Sequence, residues 1–165
     1  MNNLIAEKIV KLCTERGLMI STAESCTGGL ISAAITSVPG SSAVIELGIC
    51  SYSNRIKNLV LGVSENTLRE YSEYSQKCAE EMALGAARAA GADCAVSTSG
   101  VAGPSGGTAE NPVGTVYIAA CYGDKIISKR FVFENRGRNF IRQCACDAAL
   151  DMLFNILTKE GENNG

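Results

Sequence analysis

Residues 18–35 read LMISTAESCTGGLISAAI. A short apolar run turns polar, crosses two adjacent glycines and resumes as apolar residues at helical spacing. Leu18 to Thr22 reads as a strand; Thr27 opens a helix through Leu30, Ile31, Ala34 and Ile35, which Pro39-Gly40 ends. A strand passing directly into a helix is the basic unit of an α/β fold. Such a junction exposes unpaired backbone N–H groups at the positive end of a helix dipole, and open α/β sheets bind ligands outside the carboxyl ends of their strands. Ser25, Thr27, Gly28 and Gly29 are therefore candidate contacts for an anionic ligand. The competing reading is a capped, closely packed helix start.

The rest of the chain repeats this alternation. Upstream, Asn2 to Arg16 has a helical apolar spacing and stops at Gly17. Downstream, Ala43 to Ser53 reads as a buried strand, followed by short helices near Ile56 to Leu61 and Glu65 to Tyr71. Ser75 caps a longer helix from Gln76 to Ala90, and Ala92 to Ser97 is another strand. Gly100 to Gly114 is a glycine- and proline-rich loop. Thr115 to Cys121 and Lys125 to Phe133 form a hairpin about Gly123-Asp124. A last helix runs from about Gly137 to Lys159, with a polar tail at about 160–165. The expected architecture is α/β, a three-layer α/β/α sandwich with a mixed sheet, in one domain over residues 1–165.

Composition narrows the function. Net charge is −2, so no basic surplus exists to neutralise a nucleic-acid backbone. No apolar stretch is long enough for a membrane span, and Met1 to Lys8 lacks the pattern of a signal peptide. The expected location is the cytoplasm. Eight cysteines include no CxxC pair, and the chain has no histidine. That spacing suits no zinc site; the cysteines are expected as reduced, small core residues. No metal and no cofactor is expected. Without histidine, the Ser-His-Asp and Cys-His routes to an activated nucleophile are closed. A hydrolase built on this sequence must use a lysine, a tyrosine, a carboxylate or a metal.

Three further groupings carry chemistry. Ser42 follows a glycine turn at the start of the strand that leads to Tyr52, with Lys57 five residues on. A lysine whose pKa is lowered by burial can deprotonate a hydroxyl, so Ser, Tyr and Lys can form a histidine-free hydrolase site. Ser97 to Thr108 places four glycines in a short loop after a strand, which argues for backbone contact with a ligand, Ser99 and Gly100 included. Arg138 and Arg142, four apart on one helix face with Arg136 nearby, invite an anion between them.

Taken in order, AESCTGGL from Ala23, PGSS from Pro39, SYSNRIK from Ser51, LGVSENTL from Leu61, EEMALGA from Glu80, SGVAGPSGGT from Ser99 and NPVGTVYIA from Asn111 resemble the CinA C-terminal domain family. The resemblance covers nearly the whole chain. It implies deamidation of nicotinamide mononucleotide to the nicotinic acid form plus ammonia, and a small-molecule nucleotide as partner, frequently in a homodimer. Carried over by position, it implies Ser42 as nucleophile with Tyr52 and Lys57 as activating partners. Ser25, Thr27, Gly28, Gly29, Ser99, Gly100 and Arg138 or Arg142 would line the nucleotide site. Ser25 competes with Ser42 for the nucleophile's role. The absence of the N-terminal domain of larger relatives favours the plain amidohydrolase. Two rival readings are a non-catalytic nucleotide-binding or scaffold domain and an amidohydrolase acting on a different amide.

Overall fold

The computed structural model describes residues 3–159; the polar tail read at 160–165 lies outside the described residues. The elements follow one another as α1 (Asn3–Arg16), β1 (Ile20–Glu24), α2 (Leu30–Thr36), β2 (Ile45–Cys50), α3 (Asn54–Leu61), α4 (Glu65–Glu70), α5 (Gln76–Ala90), β3 (Cys94–Gly100), β4 (Thr115–Tyr122), β5 (Lys125–Val132) and α6 (Arg138–Thr158). The five strands form one sheet in the order β2-β1-β3-β4-β5. The β1–β2 and β1–β3 pairs are parallel, whereas β3–β4 and β4–β5 are antiparallel. The expected α/β class with a mixed sheet is therefore what the chain forms.

Two cores flank the sheet. On one face Ile20, Cys94, Val96, Val116 and Ile118 pack against α1, α2 and the long α6 through Ile9, Ile31, Ile35, Ile141, Leu150 and Leu153. On the other, the small residues Ala23, Ala95 and Ala119 meet Ala79, Met82, Ala83 and Ala86 of α5. Small side chains on both partners bring α5 close, and the Ser97 hydroxyl donates to the Ala79 carbonyl across this contact. The strand-period and helix-period patterns thus sort the chain's many alanines onto one shared face. Serine hydroxyls start three helices: Ser53, Ser64 and Ser75 accept from the N–H groups of Ile56, Thr67 and Cys78.

One expectation about β2 is corrected. It is an edge strand, with Ile45, Leu47 and Ile49 half-buried and Glu46, Gly48 and Cys50 exposed. The Val- and Ile-rich run begins at Ala43, the last residue of the 3-10 turn Ser41–Ala43, and β2 has only β1 beside it in the sheet. Six of the cysteines are buried, Cys144 is half-buried and Cys50 is exposed, all as free thiols.

Candidate active site

β1, β2 and β3 deliver their carboxyl ends to one edge of the sheet. Ser51 N–H donates to the Glu24 carbonyl at 2.8 Å, and Ser25 N–H donates to the Thr98 carbonyl at 3.0 Å. These bonds carry the sheet pairing one residue beyond the strands and fix Ser25 between Ser51 and Thr98. The chain then leaves β2 through Ser53, which caps α3. Lys57, one turn into α3, is 1% exposed. Its Nζ lies 3.2 Å from Ser25 Oγ and donates to the Ser51 carbonyl at 2.9 Å.

No ion pair to Lys57 exists among the described residues. Burial lowers its pKa, opposed by the weaker influence of Cys78, Glu73 and Cys26. A lysine in this setting sheds its proton more readily than one in water, and its nearest hydroxyl is that of Ser25. The cavity beside the pair measures about 210 Å³; Ser25, Tyr52, Lys57, Glu73, Gly103 and Arg138 are among its walls. Tyr52 is 60% exposed at the mouth. Arg138 donates to the Tyr52 oxygen at 2.6 Å and to the Gly103 carbonyl at 2.8 Å. With its oxygen accepting from Arg138, the Tyr52 hydroxyl is free to donate toward the cavity.

The geometry redistributes the residues singled out from sequence. Ser42 does not join Tyr52 and Lys57. It sits exposed in the 3-10 turn Ser41–Ala43, before the amino end of β2, whereas Ser51, Tyr52 and Lys57 lie beyond the carboxyl end. The six-residue length of β2 separates them, about 20 Å at strand rise. Ser25, the competing serine, occupies the place beside Lys57.

At the glycine loop the chain forms the capped helix start, not an open anion site. Glu24 folds back over the start of α2, accepting from the N–H groups of Gly29, Ile31 and Ser32 and from the Ser32 hydroxyl at 2.8–3.1 Å. The anion at this helix end is the chain's own carboxylate, which satisfies the donors a phosphate would have used. Thr27 is buried with its hydroxyl against that of Thr98, 2.8 Å away. Gly28 and Gly29 adopt left-handed φ values of 60° and 97°, and neither they nor Thr27 border the cavity. Their glycines serve the turn.

Arg142 is likewise committed. Its Nε and one terminal nitrogen donate to the Cys26 and Thr27 carbonyls at 3.1 and 2.8 Å, pinning the loop from behind. No anion is needed between the two arginines, because each finds carbonyl oxygens. Ser99 donates to the Glu73 carbonyl at 2.7 Å and does not border the cavity. Gly100 does border it, but a Cβ there would come within 2.4 Å of the Thr115 carbonyl, so the approach of β4 already requires glycine. Sequence reasoning missed Glu24, Glu73, Asn54 and Tyr74. The last three sit where α3 and the α4–α5 loop meet the cavity, and nothing in their local spacing marks them.

Cys26 is buried beside Ser25, and burial pushes its thiol up to about 11. The helix-start effect that would activate it is outweighed, and it stays a neutral thiol.

An open mixed sheet whose inner strand β1 ends at a serine held against a buried lysine defines an α/β protein with a candidate site at that edge. The CinA C-terminal domain profile matches residues 2–157, and the chain belongs to that family. It is 57% identical over 102 residues to the nicotinamide-nucleotide amidohydrolase PncC of Enterobacter agglomerans, covering 62% of each chain. It is 44% identical over 151 residues to a CinA-like protein of Thermotoga sp. strain RQ2, covering 92% of this chain and 36% of that one. The chain thus spans little more than a third of the length of such relatives. Among solved structures, the competence/damage-inducible protein CihA from Agrobacterium tumefaciens superposes with a TM-score of 0.91 at 41% identity over 94% of both chains. The competence damage-inducible protein A of Klebsiella pneumoniae does so at 0.90 and 33%, over 94% of this chain and 96% of that one.

Proposed function

We propose that the chain is an amidohydrolase that cleaves the carboxamide of nicotinamide mononucleotide, with Ser25 as nucleophile and Lys57 as its base. The observation that carries this is the 3.2 Å contact between Ser25 Oγ and a lysine Nζ that is buried, unpaired by any described carboxylate and lowered in pKa. The relative named for this activity supplies the substrate. Neutral Lys57 takes the Ser25 proton as Oγ attacks the carboxamide carbon. The electron-poor pyridinium ring makes that carbon more electrophilic. The backbone N–H of Cys26 adjoins the nucleophile at the cavity wall, so it is the natural donor to the oxyanion. Protonated Lys57, assisted by the Tyr52 hydroxyl, returns the proton to the departing ammonia. Water then hydrolyses the acyl-serine, with Lys57 accepting a proton from the water and returning it to the departing Ser25 oxygen. Arg138 faces the same cavity and suits the substrate's phosphate.

Ammonia release from nicotinamide mononucleotide tests the reading, with calorimetric binding in parallel. The expected result is equal yields of ammonia and nicotinic acid mononucleotide, unchanged by a strong chelator. Binding without release would overturn it in favour of a nucleotide-binding scaffold.

A further inference from the structure

The cavity holds two opposite charges that do not neutralise each other. Glu73 and Arg138 both border it, yet neither forms an ion pair among the described residues. Asn54 Nδ2 donates to the Glu73 carboxylate at 3.3 Å. Its position is built with some care. Ser72, the residue before it, holds a left-handed φ of 64°, uncommon for a side-chain-bearing residue. The Ser72 hydroxyl accepts from Tyr74 N–H at 3.1 Å, and the buried Ser99 hydroxyl donates to the Glu73 carbonyl at 2.7 Å. These contacts lock the turn that brings Glu73 to the cavity wall. Two unpaired opposite charges in one small cavity suit a ligand that carries both.

We infer that Glu73 is a specificity-determining residue that reads the positive charge of the substrate's aromatic ring, while Arg138 reads its anionic group. This rests on the amidohydrolase reading above and extends it. The cavity selects zwitterionic amides, a cationic heteroaromatic carboxamide joined to a phosphate, over neutral-ring amides of the same shape. The Glu73 carboxylate makes no hydrogen bond to Ser25 or Lys57, and its charge only weakly opposes the burial that lowers the Lys57 pKa, so its main effect falls on binding.

The test uses two ligands that share ribose, phosphate and carboxamide but differ in ring charge. Nicotinamide mononucleotide is the substrate with a cationic ring; its dihydro form has a neutral ring and is read as a competitive inhibitor. Glu73→Gln should raise the KM for the cationic substrate about fivefold or more, as expected for loss of one partly solvated charge pair. The kcat should move far less, and the inhibition constant of the dihydro form should stay put. Glu73→Asp, which keeps the charge, should recover part of the lost discrimination. An unchanged melting temperature would show that Glu73→Gln folds normally. Equal effects of Glu73→Gln on both ligands, or no effect on either, would overturn the inference while leaving the amidohydrolase reading intact. Failure of the unaltered protein to bind or hydrolyse nicotinamide mononucleotide would overturn both.

Discussion

Lys57 is a lysine placed where an ammonium charge is costly. Burial lowers its pKa below the ordinary value of 10.5. Between the lowered value and 10.5 the unfolded chain binds the proton that the folded chain has released. Stability therefore rises with pH across that window, and below it the full cost of the buried charge is present. The groups facing Lys57 are Cys78, Glu73 and Cys26. The two thiols are pushed up to about 12 and about 11, so they stay neutral below their ordinary 9.0. Lys57→Met should accordingly be more stable than the unaltered protein at the acidic end. Its advantage should shrink as pH climbs toward 9.0, when both are unfolded in urea at a series of pH values. A constant difference between the two would show that Lys57 does not release its proton in this range. The sequence made the residue types legible: with no histidine, Lys57 and Tyr52 stood among the candidates to activate a hydroxyl. It did not show which serine Lys57 meets, because that contact joins residues 32 apart through the pairing of β1 with β2.

At the scale of elements, the strand–turn–helix around Ser25 is held by two charged residues that its sequence motif does not advertise. Glu24 caps α2 from the end of β1, and Arg142 ties the loop's carbonyls to α6. A strand, a glycine turn and a helix were readable from the apolar spacing, but β1 runs Ile20–Glu24, two residues later than read, and α2 starts at Leu30, not at Thr27. The open N–H groups expected there were not open, because Glu24 lies at the end of β1, where its side chain reaches back over α2. Glu24→Gln keeps the shape but replaces one acceptor oxygen by an amine that faces backbone donors. The expected loss is about 2 kcal/mol or more. For a chain of this size that is a fall of at least about 4 °C in Tm by calorimetry. An unchanged Tm would mean that the helix start does not depend on the carboxylate.

For the whole molecule, the decisive fact is which end of the sheet a residue occupies. β1, β2 and β3 run the same way, so whatever follows them gathers at one edge and whatever precedes them at the other. Ser25, Tyr52 and Lys57 follow their strands; Ser42 precedes its own. Local spacing places Ser42 ten residues before Tyr52, but a strand turns those residues into distance, not proximity. Strand direction and neighbour order were needed to see this, and neither is written in a periodicity. Ser25 and Lys57 are proposed as the reactive pair, and serine variants at the two ends of the sheet separate this from a role for Ser42. Ammonia release from nicotinamide mononucleotide would be measured for Ser25→Ala and Ser42→Ala, with binding of the same compound followed by calorimetry. The account predicts that Ser25→Ala binds but loses kcat by at least about a thousandfold, and that Ser42→Ala keeps near-normal turnover. A Ser42→Ala protein that binds without turnover, beside a Ser25→Ala protein that still releases ammonia at saturation, would contradict it.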